Sequence, residues 1–280
     1  MDAPPPQEDC TPFVKISRLM SECGLNVPAV IAADIQQGFL LLSDLGDTTY
    51  LTALDDTNAD SLFDDATSAL VRWQLSSRED VLPPYDEALL RRELALFPDW
   101  YVAKHLRVKL KPDQQETMQQ MFDLIVRDNL AQPRTFVHRD FMPRNLMVTE
   151  PNPGILDFQD AVFGPVSYDV VSLFRDAFVS WDEERVLDWV IRYWEKARKA
   201  KLPVRPDFGE FYRELEWMGL QRHLKVLGIF ARIRYRDGKA AYLEDAGRFL
   251  SYIRAVTERY GALAPLAGLF DALEQHTARA

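Results

Sequence analysis

Cysteine is scarce in this chain of 280 residues: Cys10 and Cys23 are the only two. Two thiols build neither a disulfide framework nor a metal cage, and they suit a reducing compartment. Positive charge is also in deficit, with 33 Lys and Arg against 43 Asp and Glu, a formal charge of -10 and a pI near 5.0. That balance excludes a general nucleic-acid coat, which needs a basic stripe, and an anchor on an anionic membrane. Long apolar runs are missing too. Stretches such as Phe39–Leu42 and Val170–Val171 fall far short of what a bilayer requires. The opening Met1-Asp2-Ala3-Pro4-Pro5-Pro6 and the acidic residues after it are the opposite of a signal peptide's basic and then apolar start, so a cytoplasmic protein is expected. Among 12 glycines none forms G-x-G-x-x-G, and G-x-S-x-G, H-E-x-x-H and C-x-x-C are absent.

What is present is a globular composition, 47% apolar and 27% charged, enough to bury a core. Phe13, Ile16, Leu19, Met20 and Cys23 recur at helical spacing, and Gly24 stops that helix. Val27–Ile31 and Gly38–Leu42 read as two strands joined by a turn at Gln36-Gln37-Gly38, and Ser43-Asp44-Leu45-Gly46 breaks the second. From Thr49 to about Leu130 the pattern is helical, with breaks at Leu82-Pro83-Pro84 and Phe97-Pro98. A strand-rich island follows, with apolar runs at Thr135–Val137, Asn145–Val148 and Gly154–Leu156. From Tyr168 onward the chain is helical again, with breaks at Leu202-Pro203, Pro206 and Asp237-Gly238.

The strand island carries the chemistry. His138-Arg139-Asp140-Phe141-Met142-Pro143-Arg144-Asn145 matches H-R-D-x-x-x-x-N, and Asp157-Phe158 follows on a new strand. Phosphoryl transfer needs a carboxylate beside the attacking hydroxyl and oxygen ligands that hold Mg2+ on the nucleotide phosphates. A loop with Asp140 and Asn145, next to a strand presenting Asp157, supplies all three from one patch. Each residue alone could equally cap a turn; the order and spacing of the three carry the signal.

These residues, with Ile155-Leu156-Asp157-Phe158-Gln159-Asp160 and Pro165-Val166-Ser167-Tyr168-Asp169-Val170, resemble the aminoglycoside phosphotransferase family. The nearest likeness is to its subgroup of cell-wall sugar kinases, through Leu94–Tyr101 and Met218–Phe230. The resemblance implies a protein-kinase-like, two-lobed α/β (α+β) fold. A reduced N-terminal β lobe and interlobe connector would occupy residues 1–46, and a large, mostly helical catalytic lobe residues 47–280. It implies ATP and Mg2+ as cofactors, and phosphorylation of the anomeric hydroxyl of N-acetylmuramate or N-acetylglucosamine in cell-wall recycling. The partners are a small sugar and a nucleotide, with no nucleic acid and no membrane. By the same likeness Asp140 is the catalytic base, Asn145 and Asp157 are metal ligands, and the backbone of Ser43, Asp44 and Leu45 meets adenine. Asp169 is expected to brace the catalytic loop, and Gln159, in place of the glycine of Asp-Phe-Gly, to mark a fixed metal loop.

Two departures bear on function. No glycine-rich loop and no phosphate-binding lysine precede the first helix, since only about forty residues lie ahead of the connector and Lys15 falls on the helix itself. The likeness places Met1–Pro4 on the third strand of the small lobe. The expectation is a shortened small lobe, weak turnover and an exposed sheet edge that invites aggregation. The second departure is local charge: Arg213–Lys239 holds seven basic and three acidic residues, with Arg222, Lys225, Arg232 and Arg236 near one helical face. That stripe is either solvated surface or an anion site for a sugar carboxylate or product phosphate. Trp100, with Tyr101, is either core or a stacking surface for the sugar. Two other readings stay open: phosphorylation of an aminoglycoside or other small alcohol, and a catalytically degenerate binding module.

Overall fold

A computed structural model describes residues 1–6 and 8–277. Its residues cluster into two compact units, one of residues 1–84 and 133–211, the other of residues 85–132 and 212–280. Among the described residues no helix is long and apolar enough to cross a membrane.

The first unit opens with residues 1–3 laid beside a hairpin, Asp2 bridging Phe39. Helix α1, Thr11–Glu22, buries Phe13, Ile16, Leu19 and Met20 of the stripe its periodicity predicts, while Cys23 lies just past its end and is half-buried, and Gly24 follows at φ +71°. The hairpin strands are β1, Val30–Asp34, and β2, Phe39–Leu42, paired antiparallel. The first strand starts three residues later than its apolar run suggests. Pro28 has no N–H to give a ladder, and its carbonyl is used by the Ser17 hydroxyl at 2.8 Å. One face of the hairpin stands open, with Ile31, Phe39 and Leu41 exposed.

Helices α2, Tyr50–Ala53, and α3, Ala59–Leu75, follow, and α3 packs on α7, Glu183–Lys199. Their contact is aromatic: the Phe63 and Trp189 rings lie 4.6 Å apart, and Phe174 stacks on Trp189 at 5.7 Å. The strand island forms two short ladders. Strand β3, Arg134–Val137, pairs with β6, Val162–Pro165, and β4, Leu146–Met147, pairs with β5, Gly154–Ile155. Helix α6, Tyr168–Phe174, is buried along its whole length. Because these ladders are two strands wide, they serve to present the loops between them.

The second unit holds α4, Glu87–Leu94, α5, Pro112–Leu130, most of α8, Phe208–Asp237, then α9, Ala246–Arg259, and α10, Ala264–Thr277. Where a break was expected at Phe97-Pro98, the backbone coils into a π-helix over Phe97–His105 with the proline in its first turn, a position that needs no N–H. Helix α8 runs so close to this segment that a Cβ on Gly228 would sit 2.4 Å from the Leu96 carbonyl carbon. Buried Glu93 of α4 takes hydrogen bonds from Tyr85 and from Gln221 at 3.1 Å, and an ion pair from Lys225 at 2.8 Å.

Candidate active site

The loop that carries the H-R-D-x-x-x-x-N residues leaves β3 at His138. Its backbone is held from below by Asp169, a fully buried carboxylate in the first turn of α6. That carboxylate accepts the His138 N–H at 2.7 Å and the Arg139 N–H at 3.0 Å. Both bonds are charge-assisted and lie out of water, so they hold Arg139 at φ +78°, a conformation a non-glycine residue adopts only under such constraint. This turn half-exposes Asp140. His138 is fully buried, and loss of hydration drops its pKa to about 4, so the ring is neutral and its Nδ1 accepts the Asp140 N–H at 3.3 Å.

Asn145 ties three segments together. Its Nδ2 donates to the Asp140 carbonyl at 2.9 Å and to Asp157 Oδ2 at 3.2 Å, while its carbonyl accepts the Leu156 N–H at 2.9 Å. Its side-chain oxygen takes part in none of these three bonds. Asp157 sits at φ +63° with its carboxylate exposed, and Gln159 Nε2 donates to its Oδ1 at 2.8 Å. Gln159 therefore occupies the departure position from Asp-Phe-Gly with a bond to the Asp157 carboxylate. Behind it Phe158 is fully buried, its ring 4.7 Å from Phe13 of α1. An amide oxygen and a carboxylate oxygen in one patch fit Mg2+, which takes few protein ligands and completes its shell from water and phosphate.

In the connector the Ser43 N–H is used by the Ala29 carbonyl at 2.9 Å, and Ser43 Oγ accepts the Ala29 N–H at 2.8 Å. Asp44 Oδ1 accepts the Gly46 N–H at 2.9 Å, closing a turn with Gly46 at φ +86°. Among the described residues the backbone N–H groups of Asp44 and Leu45 donate to no backbone carbonyl.

The remaining expected substrate residues belong to the second unit. Lys225 is buried on Glu93, so its charge is already countered. Arg222 is 3% exposed, and its Nη1 has no hydrogen-bond partner. Arg232 is half-buried with its Nε unpartnered, and Arg236 is exposed and pairs with Asp237 at 2.6 Å. A uniformly solvated face therefore does not describe this stripe. Trp100 is half-buried on the π-helix, and Tyr101 is core, stacked 5.5 Å from Phe97.

Sequence reasoning singles out neither Arg144 nor Phe178. Arg144 is exposed between Pro143 and Asn145, with its guanidinium 5.1 Å from the centre of the Phe178 ring. The available signal was its place inside the H-R-D-x-x-x-x-N segment.

Residues 1–208 match the model of the phosphotransferase enzyme family. The chain is 56% identical over 275 residues to a Pseudomonas aeruginosa protein named N-acetylmuramate/N-acetylglucosamine kinase, covering 98% of this chain and 81% of that one. A Neisseria meningitidis protein of the same name is 54% identical, covering 96% of this chain and 81% of its own length. Among solved structures, a choline/ethanolamine kinase family protein from Mesorhizobium loti aligns with TM-score 0.62 at 17% identity, covering 92% of this chain and 83% of that one. An ADP-bound aminoglycoside phosphotransferase aligns with TM-score 0.56 at 16% identity, covering 86% of this chain and 80% of that one. At such identities the structural likeness speaks to fold, which is the kinase-like arrangement expected from the sequence.

Proposed function

The chain belongs to the phosphotransferase enzyme family, and from that premise we propose that it is an ATP-dependent kinase for an amino sugar, acting on the anomeric hydroxyl of N-acetylmuramate or N-acetylglucosamine. The observation that carries this reading is the single knot in which the Asn145 amide joins the Asp140 backbone to the Asp157 carboxylate. On this reading the knot brings the proposed general base, Asp140, together with two proposed oxygen ligands, Asn145 and Asp157. Asp140 accepts the proton of the sugar hydroxyl as that oxygen bonds to the γ-phosphorus and the bond to the β–γ bridging oxygen breaks, releasing ADP. Asn145 and Asp157 are the residues that would hold Mg2+, which supplies neutralisation of charge on the phosphate oxygens. The open N–H groups of Asp44 and Leu45 offer donors to adenine, with Ser43 tied to Ala29 beside them.

The division at residue 46 into a small nucleotide-side lobe and a large catalytic lobe belongs to the same proposal, as does a cytoplasmic location, which the two free cysteines support. Of the residues expected on the sugar side, Trp100, Arg222 and Arg232 keep a proposed role, whereas Lys225 is already paired with Glu93. Among these Arg222 has a buried Nη1 with no hydrogen-bond partner, a donor left for a sugar oxygen. A phosphotransfer screen with Mg-ATP against N-acetylmuramate, N-acetylglucosamine, other hexoses, choline and kanamycin tests the function. Turnover should concentrate on the two amino sugars, and Asp140→Asn should lower it by on the order of a hundredfold or more. Preference for choline or kanamycin, or near-normal turnover in that variant, would refute the reading.

A further inference from the structure

Arg144 has a chemistry that the phosphoryl-transfer machinery leaves unused. Its backbone is pinned on both sides: Pro143 and Asn145 are buried, and the Asn145 N–H closes the turn on the Met142 carbonyl at 2.8 Å. Its side chain is exposed and lies with its guanidinium over the Phe178 ring. Phe178 is fixed in turn, because buried Asp176 accepts the Phe178 N–H at 2.7 Å and the Val179 N–H at 3.3 Å. Contact with an aromatic ring engages a guanidinium through its face and leaves its N–H edges free, in a fork that matches a carboxylate. Among the described residues no carboxylate forms an ion pair with Arg144, whereas Arg185 and Arg192 of the same unit both have one. A cation is thus held ready, edge open, one residue from the proposed metal ligand Asn145 and four from the proposed base, in a chain of net charge -10.

Resting on the kinase reading above, we infer that Arg144, propped on Phe178, determines specificity by binding the carboxylate of an acidic acceptor sugar, and that it does so in place of the basic stripe on α8. The stripe is less suited: Lys225 is spent on Glu93 and Arg222 is 3% exposed, while Arg144 is open to a sugar arriving from solvent. N-acetylmuramate carries such a carboxylate on its lactyl ether and N-acetylglucosamine does not, so the pair of sugars isolates the interaction.

The test compares the whole chain with its Arg144→Gln, Arg144→Lys, Phe178→Leu, Arg222→Gln and Arg134→Gln variants on both sugars, by initial rates and by calorimetric titration of each sugar. Arg134, whose guanidinium lies 4.9 Å from the Phe163 ring, is a control with the same stacking away from the loop. A hydrogen-bonded charge pair covered by the sugar predicts that Arg144→Gln raises KM for N-acetylmuramate about five- to a hundredfold and KM for N-acetylglucosamine by less than about twofold. Arg144→Lys should recover part of the loss, and Phe178→Leu should cost about two- to fivefold on the acidic sugar alone. Equal effects on both sugars, discrimination by Arg222→Gln in place of Arg144→Gln, or the same result from Arg134→Gln would each overturn the inference while leaving the kinase function standing. Binding of N-acetylmuramate that depends on Arg144, in a chain that phosphorylates neither sugar, would retire the function and keep the anion subsite. Absence of N-acetylmuramate binding by the unmutated chain would overturn both.

Discussion

Removing the Asp169 carboxylate should disarm the enzyme while leaving nucleotide affinity close to normal. Asp169 accepts two backbone N–H groups, from His138 and Arg139, at 2.7 and 3.0 Å, inside a site with no exposure to solvent. Hydrogen bonds to a charged acceptor contribute about 1.5–3 kcal/mol each, so the pair holds the loop by roughly 3–6 kcal/mol. Against this stands the positive φ of Arg139, which costs on the order of 1–2 kcal/mol and is released if the loop relaxes. The net restraint is therefore about 1–5 kcal/mol, which in Asp169→Ala should speed hydrogen exchange at the two amides by about fivefold to several thousandfold. In Asp169→Asn the shape is kept, yet one N–H must face the amide's own donor, so about half the effect is expected. Because Asp140 follows directly, its displacement by a fraction of an ångström should lower kcat by on the order of a hundredfold. Amide exchange by NMR and steady-state kinetics read the two effects separately. If Asp169→Asn keeps kcat within about threefold of the parent and both amides stay protected, the carboxylate is not what holds the loop.

Three further outcomes follow from the same structure. Asp157→Ala should weaken Mg-nucleotide binding by removing a proposed metal ligand and the Asn145 partner at 3.2 Å, and an unchanged affinity by calorimetry would place the cation elsewhere. Gly228→Ala should destabilise the protein by about 1–3 kcal/mol or more, because its Cβ would lie 2.4 Å from backbone that cannot swing away; an unchanged Tm would refute that close approach. Burial lowers the His138 pKa to about 4 in the folded chain against an ordinary imidazole value of 6.5, so the unfolded state takes up its proton first as pH falls. Its contribution is complete above pH 6.5 and declines toward pH 4, by up to about 3 kcal/mol, and His138→Gln should flatten that part of the stability curve.

The parts of the molecule that sequence pattern reveals are those whose physics is local. The α1 stripe of Phe13, Ile16, Leu19 and Met20 spans two turns, and periodicity alone places it inward. The candidate site segment stands out in the sequence for a similar reason. Asp140, Asn145 and Asp157 fall within eighteen residues, and chemistry limits which side chains can stand at those positions. Asp169 lies about thirty residues from the amides it holds, and only the resemblance to a family, not any spacing rule, pointed to a bracing role.

Long-range pairing hides the rest. The basic residues of α8 read as one stripe because helical spacing reports direction and says nothing of what lies opposite. Glu93, 132 residues before Lys225, turns that cation into half of a buried ion pair, and Gln221 and Tyr85 join the same carboxylate. Strand β6 escapes notice because Gly164-Pro165 look like a terminator, yet its partner β3 supplies the ladder and Pro165 stands at the strand's end, where a missing N–H is tolerated. The π-helix after Leu96 is concealed in the same way, its Pro98 acting as an opening residue where proline more often breaks a helix. In each case the residue's intrinsic preference is intact and only its position within the element differs. A proline or a lysine read without its partner strand or helix therefore has two opposite meanings, and packing alone chooses between them.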